Sequence, residues 1–124
     1  MTSRHPVKIG RVYDTPVQGD GARVLVDRLW PRGLSKQKAH LDEWCTSVAP
    51  SAALRTWYQH DPERTVEFGR RYRLELQEPE RATALAHLRD LAKDGPLLLL
   101  TASRQADISE AAVLVELLHE PTTQ

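Results

Sequence analysis

The sequence predicts an α/β fold: a small, mostly parallel three-stranded sheet flanked by about five helices, in a single domain over residues 1–124. Three observations predict it. Two apolar runs, Val24-Leu25-Val26 and Leu97-Leu98-Leu99-Leu100, are short and bounded by breakers or polar residues, as strands buried on both faces are. Between them, Phe68, Tyr72 and Leu76, then Leu85, Leu88, Leu91 and Ala92, recur at helical spacing. After the second run comes a polar loop and then a helix pattern with Ala111, Leu114, Val115 and Leu118 inward.

Each element has local reasons. Residues 1–6 read as a loose terminus. Val7, Ile9, Val12 and Tyr13 mark a strand over about residues 7–13, and turn chemistry follows at Asp14-Thr15-Pro16 and Gly19-Asp20-Gly21. A link this short suits a hairpin better than a parallel crossover, so the pairing of the first two strands stays open. Ser35 can cap a short turn over Lys36–Ala39, and Leu41 and Trp44 look like anchors for an irregular segment that Pro50 ends. Ser51 can cap a helix over 52–58, carrying Leu54, Trp57 and Tyr58. Asp61 and Pro62 suit the cap and first position of a helix running to about Gln77, on which Arg71 and Glu75 could pair. Pro79 opens a helix over 79–93, and Asp94-Gly95-Pro96 stops it, with Gly95 as a left-handed cap. Asp107-Ile108-Ser109-Glu110 has capping-box spacing, with Asp107 as the cap of the last helix and Glu110 three residues on.

Composition narrows the function classes. Seventeen basic and seventeen acidic residues give zero net charge, which weakens a case for general nucleic-acid affinity. No apolar run approaches the roughly 18 residues that span a bilayer, so no membrane role is expected. Met-Thr-Ser-Arg-His-Pro has no signal-peptide h-region, and the single Cys45 excludes an internal disulfide, so the cytoplasm is the expected location. Cys45 has no His or basic neighbour to lower its pKa and reads as a small buried residue. His5, His40, His60, His87 and His119 show no metal spacing, and no phosphate loop or nucleophile elbow is present, so neither metal nor cofactor is expected.

The chemistry concentrates where the apolar runs end. Val24–Val26 runs into Asp27, Arg28, Trp30, Pro31, Arg32 and Gly33; Leu97–Leu100 runs into Thr101-Ala102-Ser103-Arg104. In open α/β sheets ligands sit outside the carboxyl ends of strands, so parallel neighbours would bring both groups to one cleft. Arg28, Arg32 and Arg104 could hold a phosphate or carboxylate, with Ser103 beside them. Asp27 is a candidate base or orienter of an arginine, or a structural partner of Arg28. His60 is a candidate acid, or a hydrogen-bonding turn residue. Trp30 could stack on a ring or plug the core. The leading reading is a cleft for a small anionic or nucleotide-like ligand, with hydrolase or transferase chemistry left open. The alternatives are a non-catalytic nucleic-acid-associated or regulatory module and a protein-interaction domain anchored by Trp30 and Trp57. Oligomeric state is not legible.

The run Arg11-Val12-Tyr13-Asp14, Asp20-Gly21, and Arg23 through Gly33 resembles the YeaO-like proteins, a group within a larger bacterial family of unknown function. The likeness continues through Lys36, Leu41, Trp44, Ala49-Pro50-Ser51, Leu54-Arg55, His60-Asp61-Pro62, Phe68, Arg71-Tyr72 and Glu75-Leu76. It implies a small cytoplasmic α/β protein without an established activity. Relatives often carry a His at the start of the last helix. This chain reads Asp107-Ile108-Ser109-Glu110 there, so a catalytic role resting on that His has no residue to carry it.

Overall fold

The computed structural model describes residues 6–119. The expected loose start lies, apart from Pro6, outside the described residues. The sheet has four strands rather than three: β1 (Val7–Arg11), β2 (Ala22–Leu25), β3 (Glu43–Trp44) and β4 (Leu97–Thr101). Their order is β1-β4-β2-β3, and all pairings are parallel. The open question of the first two strands resolves as no pairing at all, because β4 lies between them. Val7 is in register with Leu97 on one side, and Ala22 with Leu97 on the other. The extra strand is the segment expected to be irregular. Two residues offer no periodicity to read, and the cause is tertiary: Val24 and Leu25 pair with Glu43 and Trp44, and the Cys45 N–H donates to the Leu25 carbonyl at 2.8 Å.

Side chains alternate across the sheet, so its two faces bury different sets. Val7, Val24, Val26, Leu97 and Leu99 join the larger cluster, with Phe68, Tyr72, Leu88 and Leu114. These helical partners come from α3 (Thr65–Glu75), α4 (Pro79–Asp94) and α5 (Glu110–His119), with Leu54 and Tyr58 from α2 (Ala52–Tyr58). The opposite face buries Leu25, Leu100, Val12 and Ala39, covered by α1 (Lys36–Ala39) and by Trp30, Leu34 and Leu41. Leu97–Leu100 thus occupies an interior strand with neighbours on both sides, as its composition required.

The caps follow sequence chemistry with three corrections. Ser35, Ser51 and Asp61 accept from the N–H groups of Lys38, Leu54 and Glu63. Asp61 introduces a 3₁₀ turn, Pro62–Arg64, before α3. Arg71 pairs with Glu67 rather than Glu75, because Glu75 reaches across to cap α2, accepting from the Ser51 N–H at 2.8 Å and its hydroxyl. Gly95 is extended, with φ 178°, since its N–H already closes α4 onto the Leu91 carbonyl and the chain runs straight into β4. Asp107 is exposed in a 3₁₀ turn, Ala106–Ile108, and Ser109 instead meets the first turn of α5 by accepting from the Ala111 N–H at 3.2 Å. The indispensable glycine is Gly21, at φ +75°, where a Cβ would stand 2.0 Å from the Pro96 carbonyl oxygen. Cys45 is buried; burial first, then the Glu43 charge, pushes its thiol up and away from nucleophilic character. No described helix is long and apolar enough to cross a membrane.

Candidate functional site

At the carboxyl ends of β2 and β4 lies a cleft of about 570 Å³. Asp27 joins the two strand ends: its Oδ2 accepts from the Ala102 N–H at 2.7 Å. Its carbonyl accepts from Trp44 Nε1 at 2.8 Å. The loop after β4 is held from behind by Arg11, whose Nε donates to the Ser103 carbonyl at 3.0 Å. The loop after Asp27 is pinned by the Tyr13 hydroxyl on the Arg32 carbonyl, and by Trp30 Nε1 on the Leu34 carbonyl at 2.6 Å. The walls of the cleft are therefore ordered by their own hydrogen bonds.

Asp27 Oδ1 is buried and has no hydrogen-bond partner among the described residues. Facing Asp27 is Glu110, the first residue of α5. Burial pushes the Glu110 carboxyl well above the usual carboxylate range, the neighbouring Asp27 carboxylate pushes the same way, and the Arg55 charge opposes them more weakly. Tyr58 closes the inner wall. It stacks on Phe68 at 4.0 Å between ring centroids, and its hydroxyl donates to the Ile108 carbonyl at 2.7 Å. Burial raises this phenol too.

Of the residues singled out from sequence, Asp27, Arg28, Trp30, Arg32, His60 and Ser103 all line the cleft. Arg104 is exposed and does not. The structural Asp27–Arg28 pair is not formed, because Asp27 takes the Ala102 N–H and Arg28 stays in the wall without an ion-pair partner among the described residues. Trp30 lines the cleft and packs edge-on to Trp44, with 5.2 Å between ring centroids. His60 reaches the wall because Gln59 and His60 both adopt left-handed backbone, φ +48° and +54°. Successive non-glycine residues there carry strain.

Sequence reasoning missed Glu110, Arg55, Tyr58 and Tyr13 as lining residues. Capping-box spacing gives Glu110 a sufficient local role, and its neighbour Asp27 lies far away in sequence. One signal was available: a polar residue opening a helix directly after a strand-end loop faces the cleft of a parallel sheet. Among the described residues no three His, Cys, Asp or Glu side chains gather as a metal site.

A parallel sheet flanked by helices, with a mixed-charge cleft at its strand ends, defines an α/β protein. The family model described as "Inactive DUF488-N3 subclade" matches residues 6–124, and the chain belongs to that family. It is similar to an uncharacterised protein of Mycobacterium tuberculosis, 46% identical over 119 residues, covering 96% of this chain and 98% of the other. It is also 38% identical over 112 residues to the uncharacterised protein YeaO of Escherichia coli, covering 90% and 96% of the two chains. No solved structure matches the chain.

Proposed function

We propose that the cleft binds a small anionic, nucleotide-like ligand and holds it without converting it. One observation carries this reading. Arg28, Arg32 and Arg55 all line the cleft, and none makes a hydrogen bond or ion pair through its guanidinium with another described residue. Elsewhere Arg11, Arg23, Arg64, Arg70, Arg71 and Arg81 are engaged by carbonyls or carboxylates, whereas Arg89 and Arg104 stand unpaired among the described residues, singly and not as a cluster. A guanidinium fork left open in a concave site suits two oxygens of a phosphate or carboxylate. Binding without turnover agrees with the description of the family as inactive. It agrees as well with the absence of a His at the start of α5.

Thermal melting in sulfate, phosphate and adenosine monophosphate tests the reading. A ligand at a hundred times its Kd stabilises by about 2.7 kcal/mol, a shift of several degrees for a domain of this size. Arg28→Lys keeps the charge but loses the fork, and should lose most of the shift. Arg89→Lys, on α4 outside the cleft, should keep it. Equal shifts in both variants for every anion would dismiss the clamp. A nucleic acid drawing on the same arginines would announce itself by affinity that falls steeply with salt.

A further inference from the structure

We propose that the floor of the cleft carries one proton, held by the Glu110 carboxyl and shared with Asp27, and that this proton makes the cleft receptive to an anion. The proposal rests on the anion-binding reading above and adds its control.

The argument begins with Asp27. Oδ2 has the Ala102 N–H, whereas Oδ1 is buried without a donor. A buried carboxylate oxygen that accepts nothing is costly, on the order of 1–3 kcal/mol or more. The protein group positioned to relieve it is the facing Glu110 carboxyl, and only a protonated carboxyl has a hydrogen to donate. Two neighbouring, partly buried carboxylates cannot both ionise cheaply, so one keeps its proton. The raised titration of Glu110 agrees with this placement. The floor then carries one negative charge instead of two, and Arg28, Arg32 and Arg55 leave the cleft net positive toward a ligand. Removing the proton sets a second negative charge at the floor, which opposes an incoming anion.

The groups facing Glu110 are Asp27 from the end of β2, Arg55 and Tyr58 from α2, and Tyr72 from α3. His60 and Arg28 stand in the same cleft. Both tyrosines titrate above their ordinary range, so neither changes charge in the range tested. His60 contributes an imidazole to the same cleft, and the experiment must separate it from Glu110.

Carbon-13 NMR of labelled glutamate side chains in the wild type reads the proton directly. Glu110 should stay protonated after the other glutamates have ionised. Titration with them near the ordinary value of about 4.3 would overturn the proposal. Asp27→Asn removes the neighbouring charge and should bring the Glu110 titration down. Sulfate, whose charge is constant over this range, reads the consequence. Its affinity for wild type should fall about tenfold or more as Glu110 ionises. In Glu110→Gln, whose amide can donate to Asp27 Oδ1, most of that fall should vanish. An unchanged slope would refute the control. Sulfate binding with an ordinary Glu110 titration would defeat the proton and leave the anion site standing. A persistent proton with no sulfate binding at any pH would defeat the anion site, and the proton's role with it.

Discussion

On the outer face of α3, Glu67 accepts from Arg70 at 2.9 and 2.7 Å and from Arg71 at 2.7 Å. In the cleft, three guanidiniums stand without such bonds, while Asp27 and Glu110 face each other. The same residue type therefore titrates in opposite directions. Hydrogen bonds from Arg70 and Arg71 lower Glu67 to about 2, whereas burial and Asp27 raise Glu110. The helix surface shows that this chain pairs acids with arginines readily at a spacing of three or four residues. In the cleft the exposed Arg28, Arg32 and Arg55 have no acid at that spacing to pair with as closely, and under the proposed function an anion would take that place.

The comparison can be pushed hardest with a carboxylate that has neither solution. Leu99→Asp places one in the interior strand, with no guanidinium and no second carboxyl designed to meet it. The loss should be several kcal/mol, and circular dichroism should show no cooperative melt. A variant melting near wild type would mean that β4 is not the centre of the core.

Next in size is the pH profile of Glu110. A group held protonated in the fold, and ionised when unfolded, contributes stability that is fully present below about pH 4.3 and is lost as pH rises through its raised folded range. Within that window wild type should lose about 1.4 kcal/mol per pH unit relative to Glu110→Gln, measured by denaturant melts at several pH values. Parallel profiles would place Glu110 among ordinary surface carboxylates.

Glu75 is intermediate, a carboxylate satisfied by neutral donors at the start of α2. Glu75→Ala should cost about 1–2 kcal/mol in urea unfolding, as the loss of a helix cap does. The smallest effect belongs to Glu67. Its lowered titration adds stability above about pH 4.3 that is lost as pH falls through about 2. Because the group is exposed, Glu67→Gln should barely move the melting temperature at neutral pH. A large drop would show that the α3 surface contributes as much as the cleft.

Much of this was legible before the structure. The apolar runs gave the interior strands, and the caps at Ser35, Ser51 and Asp61 marked where helical turns begin, since each rests on neighbours within a few residues. Most of the cleft's first wall was visible too, because Asp27, Arg28, Trp30 and Arg32 are close together in the chain. What escaped depends on partners distant in sequence. β3 exists through its pairing with β2, Glu75 bonds to α2 rather than to Arg71, and Glu110 faces a strand end far earlier in the chain. Arg55 sits on a short helix with nothing local to mark it, and only the placement of α2 beside the strand ends makes it part of a wall.

The central position of β4 bears on how the chain is made. β1 pairs only with β4, and β2 needs β4 on one side. While the ribosome is still translating the helices between, Val7–Arg11 and Ala22–Leu25 have emerged as strands with open edges and no central partner. The sheet cannot close until residues 97–101 leave the exit tunnel, and Val7 must then find Leu97 across most of the polypeptide. Assembly of the sheet is therefore an event of the nearly finished chain rather than a progressive one, and a nascent chain stalled before Leu97 exposes its apolar strand edges to aggregation.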